Sequence, residues 1–561
     1  MKSKHVKRAR LWAVAGGLAL GLLSTAGGAS SAQRVPCAEL TTITIEAPRI
    51  GLPTTGAVVT EAKLIPARGS GPDAVEEHCL ATGNIRPVDP SAPVIRFQVA
   101  LPKVWNAKVV MLGGGGLNGT VPDVAGNMLN APPRSRSALA RGYAVFASDS
   151  GHQGTSTDGS FATNDEAFRN WMGDALKKTR DAALILVEAT YGTSPQRAYF
   201  LGSSTGGREA LTVAGRWPAD WNGIVAQYPA RDVRAMLLNL SAASRALAAP
   251  GAYPNAAERG VLYRAALTSC DALDGVADGV ISDVRGCNAV FDPHAASLDG
   301  VPVRCPDGAD AGDTCLSDAQ LSALRRLQAP ASTGVSPADD PTRPLGFEVY
   351  TSDTGIPGTA PLQAFVSLVA LGSAQPAFPV TPAMPLFTQL ADQFVRYAVA
   401  RDAAFNSLSF DPRRPGPYAD RLSELSALDT PDTDLSAFAA RGGKVLLLHG
   451  TADLLISPRG TEAYYRHLRS SLGSDTLNSF LRYYEVPGFG HSVSTTFNPA
   501  WDQLTVLEAW VERGVDPAGN LTVLDTAGVP GRTRPLCPYP TWPSYRGAGD
   551  VNSAASFRCE R

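Results

Sequence analysis

Short apolar runs alternate along the chain with longer segments of mixed polarity. Thr42-Ile43-Thr44-Ile45 alternates in polarity, and Val94 to Leu101 carries strand spacing, so residues 38–107 read as β-rich. Lys108-Val109-Val110-Met111-Leu112 and Tyr143 to Ser148 follow the pattern of buried strands. Residues 166–191 have helical periodicity. Arg197 to Leu201 reads as a strand, 208–215 as a helix and Gly223 to Tyr228 as a strand. The alternation then lapses across 232–440, where short helices mix with many Pro, Gly, Asp and Ser residues, and Pro330 to Pro344 reads as loop. It resumes with a strand at Lys444 to Gly450, a helix over 459–472, a strand at Leu481 to Val486 and a helix over 501–513. Strands alternating with helices predict an α/β fold, with a largely parallel sheet covered on both faces. Its core comprises residues 33–231 and 441–561, and 232–440 is an inserted lid domain of ordinary domain size. The tail from 526 is rich in Pro and Arg.

Leu201-Gly202-Ser203-Ser204-Thr205-Gly206-Gly207 lies between a predicted strand and a predicted helix. Gly-x-Ser-x-Gly in that context is a nucleophile elbow, with Ser204 at its centre. Gly and Ser also fill ordinary turns, so the flanking pattern carries the reading. A hydroxyl nucleophile needs a base and a carboxylate to orient that base. Asp453 follows the strand 444–449 directly, and His491 lies in a Gly-flanked loop after the last strand. The order Ser, Asp, His is that of the α/β-hydrolase core. Of the other six histidines, His5 is in the leader, His78 and His152 precede the serine, and His294 is in the insert. His449 ends a strand and His467 lies mid-helix. His152 reads as a satisfied structural residue near the pocket. Glu485 is the rival acid, but it lies in the strand leading to His491. The Thr205 amide and one from the run Gly113 to Gly116, with Gly115 preferred, are placed to hold an oxyanion. No Gly-Lys-Ser/Thr follows that run, which argues against a phosphate cradle.

Composition adds the compartment. The formal net charge of −2 gives no reason to expect nucleic acid or an anionic membrane as partner. Lys2, Lys4, Lys7, Arg8 and Arg10 precede an apolar run from Leu11 to Leu23, and Ser30-Ser31-Ala32 fits a cleavage site. Residues 1–32 therefore read as a signal peptide, and the product as secreted or periplasmic. Eight cysteines follow, with no Cys-x-x-Cys pair, which predicts disulfides rather than zinc. Their connectivity is open from sequence. Pairing near neighbours gives Cys37–Cys79, Cys270–Cys287, Cys305–Cys315 and Cys537–Cys559.

Trp105-Asn106 before the glycine run, Thr205-Gly206-Gly207-Arg208-Glu209-Ala210, His449-Gly450-Thr451-Ala452-Asp453 and Val486-Pro487-Gly488-Phe489-Gly490-His491 together resemble the tannase and feruloyl esterase family of secreted α/β-hydrolases. The resemblance runs from about residue 37 to the C-terminus. It implies the same roles for Ser204, Asp453 and His491. The family carries cysteines directly before the serine and directly after the histidine, joined as a disulfide. Here Ser203 and Ser492 stand there, so those two hydroxyls are expected close together. Cys270 to Ile281 holds Asp271, Asp274 and Asp278, a cluster that repels itself unless solvated or bound to a cation. A bare Asp-Gly turn is the other reading. The resemblance implies a structural calcium ion, held by the side chains of Asp271, Asp274 and Asp278 and the carbonyls of Val276 and Val280. No organic cofactor is expected.

The expected function is hydrolysis of aromatic acid esters of feruloyl or galloyl type through an acyl-enzyme. The alternatives are a monoester hydrolase for terephthalate-type esters, a serine peptidase, and a catalytically silent binding protein. Arg396, Tyr397, Arg401 and Phe405 are spaced on one helical face and are candidates to meet an aromatic acid, or else to form a solvated basic edge. Oligomeric state is not legible.

Overall fold

The computed structural model describes residues 34–71, 74–329, 346–355, 361–428, 434–519, 521–526 and 529–561. The segment read as a signal peptide and the stretch Pro330 to Pro344 read as loop lie outside the described residues. Ten strands form the main sheet: β1 (Thr44–Ile45), β2 (Ala57–Ile65), β3 (His78–Ile85), β4 (Ile95–Pro102), β5 (Lys108–Leu112), β6 (Ala144–Ser148), β7 (Arg197–Ser203), β8 (Gly223–Gln227), β9 (Lys444–Gly450) and β10 (Leu481–Val486). Their order is β1-β2-β3-β4-β6-β5-β7-β8-β9-β10. From β6 onward every pairing is parallel, whereas β1 to β4 pair antiparallel, as does β4 with β6. The expected largely parallel sheet is thus parallel in only one half. The link between β3 and β4, residues 86–94, is too short for a crossover helix, which forces antiparallel pairing there.

Alternate residues of the parallel strands feed two cores. Val109, Met111, Phe146, Phe200, Ile224 and Leu447 pack with α1 (Ala175–Tyr191), α2 (Thr205–Arg216) and α7 (Pro458–Leu472). Val110, Val145, Tyr199, Leu201, Val225 and Leu448 pack on the opposite face with α8 (Gln503–Arg513). Both faces are buried, which explains the near-continuous apolar runs in these strands.

Between Gln227 and Lys444 no described residue joins the main sheet. Helices α3 (Val233–Ala248), α4 (Ala256–Cys270), α5 (Asp318–Gln328) and α6 (Leu386–Gln393) pack there around a third core. That core also takes in Leu117, Phe168 and Trp171 and the loop Leu454 to Ile456, so this layer sits over the carboxyl ends of the parallel strands. All four near-neighbour cysteine pairs are disulfides. The tail after α8 adds strand pairs, including Trp542–Tyr545 with Phe557–Glu560 beside the Cys537–Cys559 link.

Candidate active site

The elbow follows from close packing around Ser204. A Cβ on Gly202 would lie 2.0 Å from the Gly206 carbonyl oxygen, and one on Gly206 would lie 2.8 Å from the Gly114 oxygen. Neither glycine has a positive φ. Ser204 takes that strain itself, at φ 58° and ψ −121°, a region sparsely populated by residues with side chains. Its N–H donates to the Gln227 carbonyl at 2.9 Å, and its carbonyl accepts from Ala230 N–H at 3.0 Å. The β7–α2 turn is thereby fastened to the end of β8.

The structure brings Ser204, His491 and Asp453 together. Ser204 Oγ lies 3.0 Å from His491 Nε2, and His491 Nδ1 lies 2.8 Å from Asp453 Oδ2. The carboxylate fixes the tautomer: Nδ1–H donates to it, leaving Nε2 to accept from the serine hydroxyl. Asp453 Oδ1 accepts from the N–H groups of Leu455 and Ile456 at 2.8 and 2.9 Å. Burial alone would raise the Asp453 carboxyl, but His491 and His449 hold it well below the usual carboxylate range. Such a site can pass the serine proton to an oriented imidazole and leave a nucleophilic oxygen.

His449 is a member that sequence reasoning missed. It is fully buried, and its Nε2 meets both Asp453 Oδ2 at 3.2 Å and the Ile456 carbonyl at 3.1 Å. A carbonyl only accepts, so Nε2 carries the proton, and Nδ1 accepts from Thr461 Oγ1 at 2.8 Å. The signal was present as a His and an Asp four residues apart in His449-Gly450-Thr451-Ala452-Asp453.

Two cavities meet at Ser204. One, of about 330 Å³, is lined by Trp171, Met236, Leu237, Phe365, Leu390 and other apolar residues, together with Thr205 and His491. The other, of about 410 Å³, is more polar and includes Asp123, Asn127, Ser203, Gln227, Ser492 and Gln503. Gly115 lines both. Its loop is held by Glu209, whose Oε2 accepts from Gly114 N–H at 3.0 Å and whose Oε1 accepts from Asn118 Nδ2 at 2.7 Å. Burial pushes the Glu209 carboxyl up.

The expected substrate-facing helical face is corrected. Arg396 pairs with Asp392 at 3.0 Å, and Arg401 pairs with Asp165. Phe405 packs edge-on against Tyr418, and Arg396 stands over the Tyr397 ring. None of these four described residues lines either cavity. The chain after α6 winds as a π-helix over Phe394–Ala400 and leaves it at Arg401, where φ is 53°, so the four share no helical face. Glu485, the rival acid, receives the Tyr483 hydroxyl at 2.7 Å, beside Glu462. His152 stacks on Phe161 with ring centroids 3.7 Å apart, and burial pushes it down to about 4, leaving it neutral.

At the acidic cluster, Asp271 accepts from Gly279 N–H at 3.0 Å, Asp274 from Val276 at 3.2 Å and Asp278 from Val280 at 3.0 Å. Asp274 Oδ2 is buried without a partner, and burial, with Asp278 and Asp271 nearby, pushes that carboxyl up to about 6. These hard oxygens suit a calcium ion. Asp278, however, is paired with Arg534, and no three acidic, His or Cys side chains among the described residues gather as a metal cage.

The family model described as tannase and feruloyl esterase matches residues 79–560. An uncharacterized esterase of Agrobacterium fabrum is 37% identical over 535 residues, covering 93% of this chain and 92% of that protein. The mono(2-hydroxyethyl) terephthalate hydrolase of Piscinibacter sakaiensis is 31% identical over 536 residues, covering 87% and 85%. The crystal structure of feruloyl esterase B from Aspergillus oryzae superposes with a TM-score of 0.71 at 22% identity, over 91% of this chain and 98% of that one. The chain belongs to the tannase and feruloyl esterase family, and with it to the carboxylic ester hydrolases.

Proposed function

We propose that the protein is a secreted serine esterase that cleaves esters of neutral aromatic acids, of feruloyl or galloyl type, through an acyl-enzyme on Ser204. The observation that carries this is the relay from Ser204 Oγ through His491 to Asp453, open to an apolar cavity. Ser204 Oγ attacks the ester carbonyl carbon while His491 Nε2 takes its proton. The amides of Thr205 and Gly115 hold the oxyanion. Collapse expels the alcohol, which leaves with the proton from His491. Water then gives His491 a proton and attacks the acyl carbon, and collapse of that intermediate expels Ser204, which takes the proton back from His491 as the acid is released.

The cavity chemistry favours a neutral acid over a terephthalate monoester. No Lys or Arg among the described residues lines either cavity, and a buried carboxylate without a partner is costly. Residues 232–440 act as the lid that shapes the apolar cavity. The basic leader with its apolar run and the four disulfides support export.

The test is hydrolysis of methyl ferulate, methyl gallate, mono(2-hydroxyethyl) terephthalate and p-nitrophenyl acetate by the wild type and by Ser204→Ala. Activity on an uncharged aromatic ester, lost in the variant, is expected. A preference for the terephthalate monoester refutes the neutral-acid reading. An active Ser204→Ala enzyme refutes the serine mechanism.

A structural calcium ion is the second part of the proposal, with Asp271, Asp274, Asp278, Val276 and Val280 as ligands. The unpartnered Asp274 oxygen supports it, whereas the ion would have to share Asp278 with Arg534. Metal content and melting temperature with and without a chelator decide: calcium lost and a lower melting temperature are expected, and no change in either removes the ion from the account.

A further inference from the structure

Tyr228 follows β8 directly, is fully buried, and has a φ of 33°. Its N–H is fastened to the Leu448 carbonyl at 2.6 Å. Its hydroxyl joins two loops. It donates to Asn130 Oδ1 at 3.2 Å and accepts from Ser492 Oγ at 3.4 Å. Asn130 Nδ2 closes the cycle on the Ser492 carbonyl at 3.3 Å. The ring edge meets the His491 imidazole with centroids 4.9 Å apart. Asn130, Ser204, Tyr228 and Ser492 all have positive φ, a concentration of strain that persists only where surrounding contacts over-determine it.

Ser203 directly precedes the nucleophile, and Ser492 directly follows its base. Gln227, directly before Tyr228, accepts the Ser204 N–H at 2.9 Å, and the Tyr228 hydroxyl accepts from Ser492, so these two adjacent residues span the segments whose separation sets the Ser204–His491 contact. All eight cysteines are used in four disulfides elsewhere, so nothing covalent makes this link. We propose that Tyr228 is a positioning residue: its backbone continues the Gln227 anchor of Ser204, and its hydroxyl, bound by Ser492, holds Ser204 and His491 in register for proton transfer. This rests on the serine-esterase reading above. It goes beyond that reading in giving a task to a residue that touches neither substrate nor the proton in flight.

Tyr228→Phe keeps the ring against His491 and removes only the hydroxyl. The inference predicts a 10- to 100-fold fall in kcat at nearly constant KM, because binding is untouched while the reacting geometry loosens. Rates are normalised to active sites titrated with an organophosphonate, so partial unfolding does not count. Ser492→Ala, a milder change, is expected to lower kcat less. Ser492→Ala added to Tyr228→Phe should cost almost nothing more, since both cut one tether. Wild-type kcat per titrated site in Tyr228→Phe overturns the inference, as does full additivity of the two changes. Should Tyr228→Phe not fold, Ser492→Ala decides alone: unchanged kcat per titrated site overturns it. Failure of the underlying reading looks different, because Ser204→Ala would then stay active or the wild type would cleave none of the esters.

Discussion

Asp453→Asn is nearly isosteric, yet the site cannot accommodate it. Asp453 Oδ1 receives two backbone N–H groups, and Oδ2 faces two imidazole nitrogens. The amide has one acceptor oxygen and one NH2 group. With NH2 toward Leu455 and Ile456, two donors meet two donors. With NH2 toward the imidazoles, it meets His449 Nε2, which must keep its proton for the Ile456 carbonyl. It also forces His491 Nδ1 to become an acceptor. His491 then carries its proton on Nε2 and donates toward Ser204 Oγ instead of accepting from it. Reaction must proceed through the minor tautomer, without a carboxylate to steady the imidazolium. The corresponding change in trypsin-like enzymes costs about 10⁴-fold, and 10⁴-fold is about 5.4 kcal/mol of transition-state free energy. A loss of 10³- to 10⁴-fold in kcat is expected on an uncharged aromatic methyl ester, with KM changed far less. Steady-state kinetics on protein checked for deamidation by mass spectrometry measures it. A loss below 10-fold would refute the tautomer argument and with it the role of Asp453.

Gly202→Ala should cost at least about 3 kcal/mol of stability, because its Cβ meets the Gly206 carbonyl oxygen at 2.0 Å and backbone cannot move aside cheaply; a melting temperature within a degree of wild type would contradict this. Burial pushes Asp149 up to about 6 from an ordinary 3.8. The folded state therefore holds this proton more tightly than the unfolded chain, and the stability tied to it is greatest below about pH 4 and falls as pH rises toward 6, by about 3 kcal/mol in all. Asp149→Asn should remove that slope, so melting curves from pH 4 to 7 are expected to diverge toward neutral pH in favour of the variant, and parallel curves would count against the assignment.

The elements that position the site were legible because each chemical group sits where periodicity changes. Ser204 lies between strand and helix, Asp453 just past a strand, and His491 in a glycine-flanked loop. What stayed hidden depends on three-dimensional register. His449 reads only as the end of a strand, and the fold turns its ring onto Asp453. The spacing of Arg396, Tyr397, Arg401 and Phe405 assumes an unbroken α-helix, and the left-handed residue at Arg401 ends it. The tail reads as an irregular Pro- and Arg-rich segment. Arg532 and Arg534 nevertheless pair there with Asp525 and Asp278 while nearly buried, contacts that no local pattern announces.

The strain at the site also has a structural logic. Ser204, the proposed nucleophile, adopts a conformation that costs about 1–3 kcal/mol. Two independent devices hold it there. One is steric: Gly202, Gly206 and Gly113 lack side chains, so the turn closes against the glycine loop. The other is polar: the Ser204 amide and carbonyl are bound by residues at and just after the end of β8, the same segment that carries Tyr228. Tyr228 in turn reaches the residue after His491. The end of β8 thus acts as a common anchor for nucleophile and base, although it contributes no reacting atom. The spacing of Ser204 and His491 should accordingly be more sensitive to changes at 227–230 than to changes of similar size in the helical layer between Gln227 and Lys444. That layer contributes cavity walls, whereas this segment contributes the register.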